Sequence, residues 1–151
     1  MMVVLLLLSS GILGIFLGAQ IAEAFLLVPY WKNLKENDFF ELHKVYGKKI
    51  HHFFAPLTIA AVFVPLITII VHIFCQTNKN NLLLGVMGFS TIAFFLTYFL
   101  YFRKTNKSFS ERSIDNKKLQ KELIKWGNWH WSRIFFEFIA FICSLLLLMK
   151  N

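Results

Sequence analysis

The sequence predicts an all-α integral membrane protein: a four-helix bundle, up-down-up-down, forming a single domain over residues 1–151 with cytoplasmic helical extensions. Three observations predict it. Apolar residues make up 57% of the chain, and they fall into four blocks, at about 3–29, 53–75, 82–102 and 127–149. A helical span needs roughly 20 such residues to cross about 30 Å of hydrocarbon. Backbone groups in lipid must pair within their own segment, so the blocks are helices, and the short alternating segments of a barrel do not occur.

The first block carries Gly11, Gly14 and Gly18, small residues that allow close helix contact. Ala22-Glu23-Ala24 imitates a signal-peptide cleavage site. The segment lacks a basic leader and stays apolar to Val28, so it is expected to remain as helix one. The stretch that follows holds Lys32, Lys35, Lys44, Lys48 and Lys49. The stretch after the third block holds Arg103, Lys104, Lys107, Arg112, Lys117, Lys118, Lys121 and Lys125. Against these thirteen stand only Lys79 in the short second loop and Lys150 at the C-terminus. The positive-inside rule then places both termini outside and loops one and three in the cytoplasm, as in a bacterial inner membrane. Tyr30, Trp31, Trp126, Trp129 and Trp131 fall where interfacial aromatic anchors belong.

Loop two is short, so helices two and three form an antiparallel hairpin. Asn37-Asp38 is expected to cap a helix that runs into span two, with Pro56 and Pro65 kinking it rather than ending it. Ser113 or Asp115 is expected to cap the helix that enters span four. The net charge of +8 does not point to nucleic acid, because the basic residues flank apolar spans, where headgroups account for them. The expected partners are the lipid bilayer and a lipophilic small molecule, with a homo-oligomer or a membrane-complex partner left open. Cys75 and Cys143 have no metal-type spacing and read as packing residues, with a disulfide between them as the alternative.

Helix four is the most informative stretch. Leu119, Leu123, Trp126, His130, Arg133, Glu137, Ala140 and Ser144 follow 4-3-4-3 spacing and share one face. That face turns polar within the membrane, the reverse of what lipid exposure selects. Ile134, Phe135, Phe136, Phe138 and Phe141 lie between and suit lipid. Helix one adds Gln20 and Glu23, the latter about 10 Å inside the cytoplasmic interface at 1.5 Å per residue. His51 shares a heptad face with Thr58, Pro65 and His72 and is expected to face inward, whereas His43 and His72 read as solvated or interfacial. Helix three adds Tyr101 and is followed by Asn106.

A charge at membrane depth costs at least ~2.5 kcal/mol. Arg133 is therefore expected to pair with Glu23 or Glu137. The plain interpretation is an ion pair locking helix one to helix four. The functional one is a polar cavity in the cytoplasmic half. There His130, Arg133, Glu23 and Glu137 are the catalytic candidates, supplying a base, a carboxylate and a cation for an oxyanion. His51, Trp126, Asn106, Tyr101 and Gln20 are the substrate-binding candidates. No cofactor and no metal site is expected; haem or another metal held by two histidines is the alternative, and the paired Glu-x-x-His pattern of di-iron bundles is missing.

The chain resembles the anthrone oxygenase-like family of small four-span membrane proteins. The residues that carry the resemblance are the glycine-rich first span ending in Val28-Pro29, Phe39-Phe40 leading to Pro56-Leu57, Asn106, and Trp126-x3-His130-x2-Arg133. Where that family has proline before the asparagine, this chain has Lys104-Thr105. The resemblance implies an oxygenase role on a polycyclic, phenol-like substrate without an obvious organic cofactor, with Trp126, His130, Arg133 and Asn106 carried over by position. The competing reading is a non-catalytic membrane subunit or scaffold; a small carrier is disfavoured by the lack of inverted repeats.

Overall fold

A computed structural model describes residues 2–75 and 80–150. Lys79 and its neighbours in the second loop lie outside the described residues. The chain forms α1 (Met2–Ala22), α2 (Val28–Asn33), α3 (Glu36–Phe74), α4 (Asn81–Thr97), α5 (Arg103–Ser110) and α6 (Asn116–Met149). A single π turn, Glu23–Leu27, joins α1 to α2, and a second, Tyr98–Phe102, joins α4 to α5. Four continuous helical rods result, each long and apolar enough to cross a membrane. They pack as an antiparallel ring in which α1 touches α3 and α6, and α4 touches α3 and α6.

The rods exceed a bilayer's need. α3 has 39 residues, so it is roughly 58 Å long at 1.5 Å per residue. The surplus gathers at one end, where α2, the start of α3, α5 and the start of α6 form a stem. Aromatic packing holds it together. Trp31, Phe39, Phe40, Phe102, Phe109 and Trp126 are all buried there. Trp31 meets Trp126 edge-on at 5.5 Å, and Phe39 meets Phe109 at 5.2 Å. Each such pair adds about 0.5–1.5 kcal/mol beyond its buried area. Gly127 lets α2 come close to α6: a Cβ there would lie 3.2 Å from Val28 Cγ1.

At the far end, small hydroxyls connect the helices. Ser9 Oγ lies 2.8 Å from Thr68 Oγ1, and Ser10 Oγ lies 3.0 Å from Ser144 Oγ. Buried hydroxyl pairs of this kind suit a bundle whose outside is as apolar as its core. The outer surface is indeed apolar, with Leu7, Ile15, Phe63, Phe89 and Phe135 among its exposed side chains.

Several expectations need correcting. α3 starts at Glu36, and its cap residue Lys35 makes no side-chain bond; Asn37 instead accepts a hydrogen bond from Arg112 Nη2. Asp115 does cap α6, accepting from the Lys117 backbone N–H at 3.2 Å. A Cβ at Gly11 or Gly18 would meet nothing within 4 Å, whereas one at Gly14 would approach Phe141, at 3.1 Å. His72 is buried rather than interfacial, 2% exposed, because α3 turns its Pro65, Thr68 and His72 side toward the core. Ile134 is buried too, packed with Leu17 and Ala24; the interior face of a ring-packed helix is wider than one heptad stripe. Both cysteines are free, Cys143 buried and Cys75 exposed.

Candidate functional site

Each of the two π turns contributes side chains to one cleft, Glu23 from the first and Tyr98 and Phe99 from the second. The Val28 N–H bonds to the Glu23 carbonyl, and the Arg103 N–H to that of Tyr98, both five residues back. Such turns widen a helix by one residue and re-aim the side chains that follow. Glu23 opens the first and Tyr98 the second. Nothing in Glu-Ala-Phe-Leu-Leu or Tyr-Phe-Leu-Tyr-Phe announces them, because tertiary packing sets a π turn.

His130 is completely buried. Its Nε2 lies 3.0 Å from the Gln20 carbonyl oxygen and 3.7 Å from Glu23 Oε2. A carbonyl only accepts, so Nε2 carries the hydrogen. The ring stacks on Trp126, with centroids 5.0 Å apart and planes 19° apart. Trp126 is itself fixed by its indole N–H, which donates to Asn106 Oδ1 at 2.9 Å. A helix-six stripe, a helix-one carbonyl and an α5 side chain are thus joined in one chain of contacts.

Arg133 departs from its expected pairing. It forms no salt bridge with Glu23 or Glu137, although its charge acts on both. The guanidinium instead lies 4.8 Å from the ring centroids of Phe94 and of Phe102. A flat, weakly hydrated cation gains about 2 kcal/mol or more on a desolvated aromatic face, which explains why it rests there. Glu137, 1% exposed, sits one turn further along α6.

A cleft of about 800 Å³ opens beside these groups. Its floor includes Gln20, Glu23, Trp126 and Arg133, and its walls are α3 from Phe39 to Ile59 and the facing run from Phe95 to Phe109. Phe54, Ile59, Phe95 and Phe99 make it apolar on one side; Lys48, His51, Arg103 and Lys107 make its stem-side rim basic. A smaller groove of about 480 Å³ runs between α1 and α3 and shares Glu23, Ile50 and Phe54 with the cleft.

The sequence-predicted residues divide accordingly. Glu23, Arg133, Gln20, Trp126, Asn106 and His51 line the cleft. His51 is exposed at its mouth rather than packed inward, because α3 and the α4–α5 rod part at that level. His130 and Glu137 are not among the lining residues. Tyr101 is turned away, its hydroxyl donating to Glu122 Oε1 at 2.6 Å and its ring stacked on Trp129. Sequence reasoning does not single out Phe54, Phe95 and Phe99 as cleft walls; among 18 phenylalanines they carry no distinguishing signal. Among the described residues, no group of three His, Cys, Asp or Glu side chains is placed to hold a metal ion. No family model, curated protein or solved structure matches the chain.

Proposed function

We propose that the chain is an integral membrane protein that admits a lipophilic molecule into the cleft and acts on it as an oxygenase- or oxidoreductase-like enzyme. In this reading the basic stem faces the cytoplasm of a bacterial inner membrane and both termini lie outside. The observation that carries the proposal is that Glu23 and Arg133 both line the floor of an otherwise largely apolar cleft. Clefts of 300–1,000 Å³ with a few convergent polar groups are the usual form of small-molecule sites. Ionisable groups at membrane depth are costly and mark function more often than packing.

The roles follow from position. Glu23 accepts a proton from an acidic O–H or C–H of the substrate. Arg133 stabilises the oxyanion that remains. His130 holds the Gln20–Glu23 turn through its bond to the Gln20 carbonyl and is a positioning residue. The electron acceptor, dioxygen for an oxygenase, comes from solution or the bilayer. The test is dioxygen uptake by the purified protein in nanodiscs with a panel of lipophilic phenols. The isosteric Glu23→Gln variant is expected to lose at least about 100-fold in turnover while keeping its melting temperature. Undiminished turnover in that variant overturns the catalytic reading.

One observation favours the second reading, a non-catalytic subunit of a larger complex: His130 and Glu137 are sealed from the cleft, as structural groups would be. Purification with a stoichiometric partner, and no turnover alone, supports that reading instead.

A further inference from the structure

Gln20 is the least satisfied residue in the cleft. It is 1% exposed, it lines the floor, and neither its Nε2 nor its Oε1 has a hydrogen-bond partner. Its backbone carbonyl is served by His130; its side chain is not served at all. A buried amide without partners is expensive and rare, so each instance asks for an explanation.

The neighbouring groups share the deficit. Arg133 Nε is buried and unpaired. Glu23 Oε2 has its nearest polar side-chain neighbour, His130 Nε2, at 3.7 Å, beyond hydrogen-bond length. The floor therefore offers unspent donors on Gln20 Nε2 and Arg133 Nε, and unspent acceptors on Gln20 Oε1 and the Glu23 carboxyl. A filled site needs a head group that both accepts and donates.

We propose that the cleft recognises a lipophile by a carboxamide head docked on the side chain of Gln20. This rests on the reading that the cleft takes a lipophilic molecule. The head's carbonyl oxygen accepts from Gln20 Nε2 and Arg133 Nε, and its N–H groups donate to Gln20 Oε1 and Glu23. The head is uncharged, so it passes the apolar walls without the desolvation penalty of an ion. A carboxylate has no donor for Gln20 Oε1 or Glu23 and carries the desolvation cost of an ion. An ester also lacks a donor. A simple phenol both donates and accepts but has a single O–H, so it fills only part of this set and binds more weakly. The apolar body of the ligand then runs past Phe54, Ile59, Phe95 and Phe99 and leaves between α3 and α4.

The test is quenching of tryptophan fluorescence in nanodiscs, since Trp31 and Trp126 line the cleft. The probes are a mid-chain dibrominated long-chain primary amide and its free acid, methyl ester and N,N-dimethylamide, with a brominated alkyl phenol beside them. The primary amide is expected to bind at least about tenfold tighter than the other four, a preference worth one factor of ten in Kd. Gln20→Leu is expected to bring the amide down to the level of the ester. Comparing the primary amide with the dimethylamide on the unaltered protein keeps the proposal testable even if Gln20→Leu does not fold. Equal binding of the amide and the dimethylamide, equal binding of the phenol, or no binding by any probe overturns it. Because no turnover is read, this result and that of the Glu23→Gln dioxygen assay can fail separately.

Discussion

His130 Nε2 donates to the backbone carbonyl of Gln20 across 3.0 Å, and this bond ties the fourth rod to the first where the first begins its π turn. The donor is fixed by chemistry, since a carbonyl oxygen cannot supply a hydrogen. The same ring covers Trp126, and the indole N–H of Trp126 reaches Asn106. The order of the cleft floor therefore depends on a histidine that does not itself line the cleft.

Removing that ring is expected to cost stability first. His130→Ala removes the side-chain hydrogen bond to the Gln20 carbonyl and leaves Trp126 without its stack. Together these amount to about 2–4 kcal/mol of lost stability. A denaturant or thermal melt in detergent measures it. A variant as stable as the parent would mean that the contact closes only weakly in solution.

Much of this is legible in the sequence. Four apolar blocks, the long stem-side extensions and the inward stripe of Trp126, His130 and Glu137 all follow from hydropathy and 4-3 spacing. The placement of Gln20 and Glu23 beside that stripe follows from the cost of burying them. What spacing does not supply is the partner of each polar group. Charge alone predicts Arg133 on a carboxylate, yet it lies on Phe94 and Phe102. A chain with 18 phenylalanines offers aromatic faces everywhere, and sequence does not say which one is near. His51 and Tyr101 depart from expectation for a related reason. Where rods part, as at the cleft mouth, a heptad face no longer means an interior face, and the π turn Tyr98–Phe102 shifts the register of the side chains it contains.

Arg133 is expected to resist even conservative replacement. Lysine keeps the charge but not the flat guanidinium that rests on two rings, so Arg133→Lys should lose about 1–2 kcal/mol. Arg133→Leu should lose about 3–5 kcal/mol, because Glu23 and Glu137 then stay buried without a countercharge. Adding Glu137→Gln to Arg133→Leu should recover part of that loss. Folded yield and melting temperature of the three variants check the order; a lysine variant equal to the parent would show that the aromatic faces contribute nothing.

The bond between Trp126 and Asn106 joins α6 to α5, and its energy is separable from the packing around it. Asn106→Ala and Trp126→Phe should each lose about 1 kcal/mol or somewhat more. The double variant should lose less than their sum, with a coupling of at least about 0.5 kcal/mol. Strict additivity would mean that the two side chains act independently and that α5 is held by its aromatic contacts alone.

The orientation can be read from a native cysteine. Cys75 is exposed where α3 ends, at the end of the bundle opposite the stem, while Cys143 is buried on α6. Thirteen basic residues on the stem side predict that the stem stays in the cytoplasm. A membrane-impermeant maleimide added to intact cells should therefore label Cys75 without lysis and leave Cys143 untouched. A cysteine placed in the stem by Lys118→Cys, in a background with Cys75→Ser, should react only after the cells are opened. The reverse pattern, with the stem cysteine labelled from outside, would invert the bundle and place the basic mouth of the cleft on the other face of the membrane.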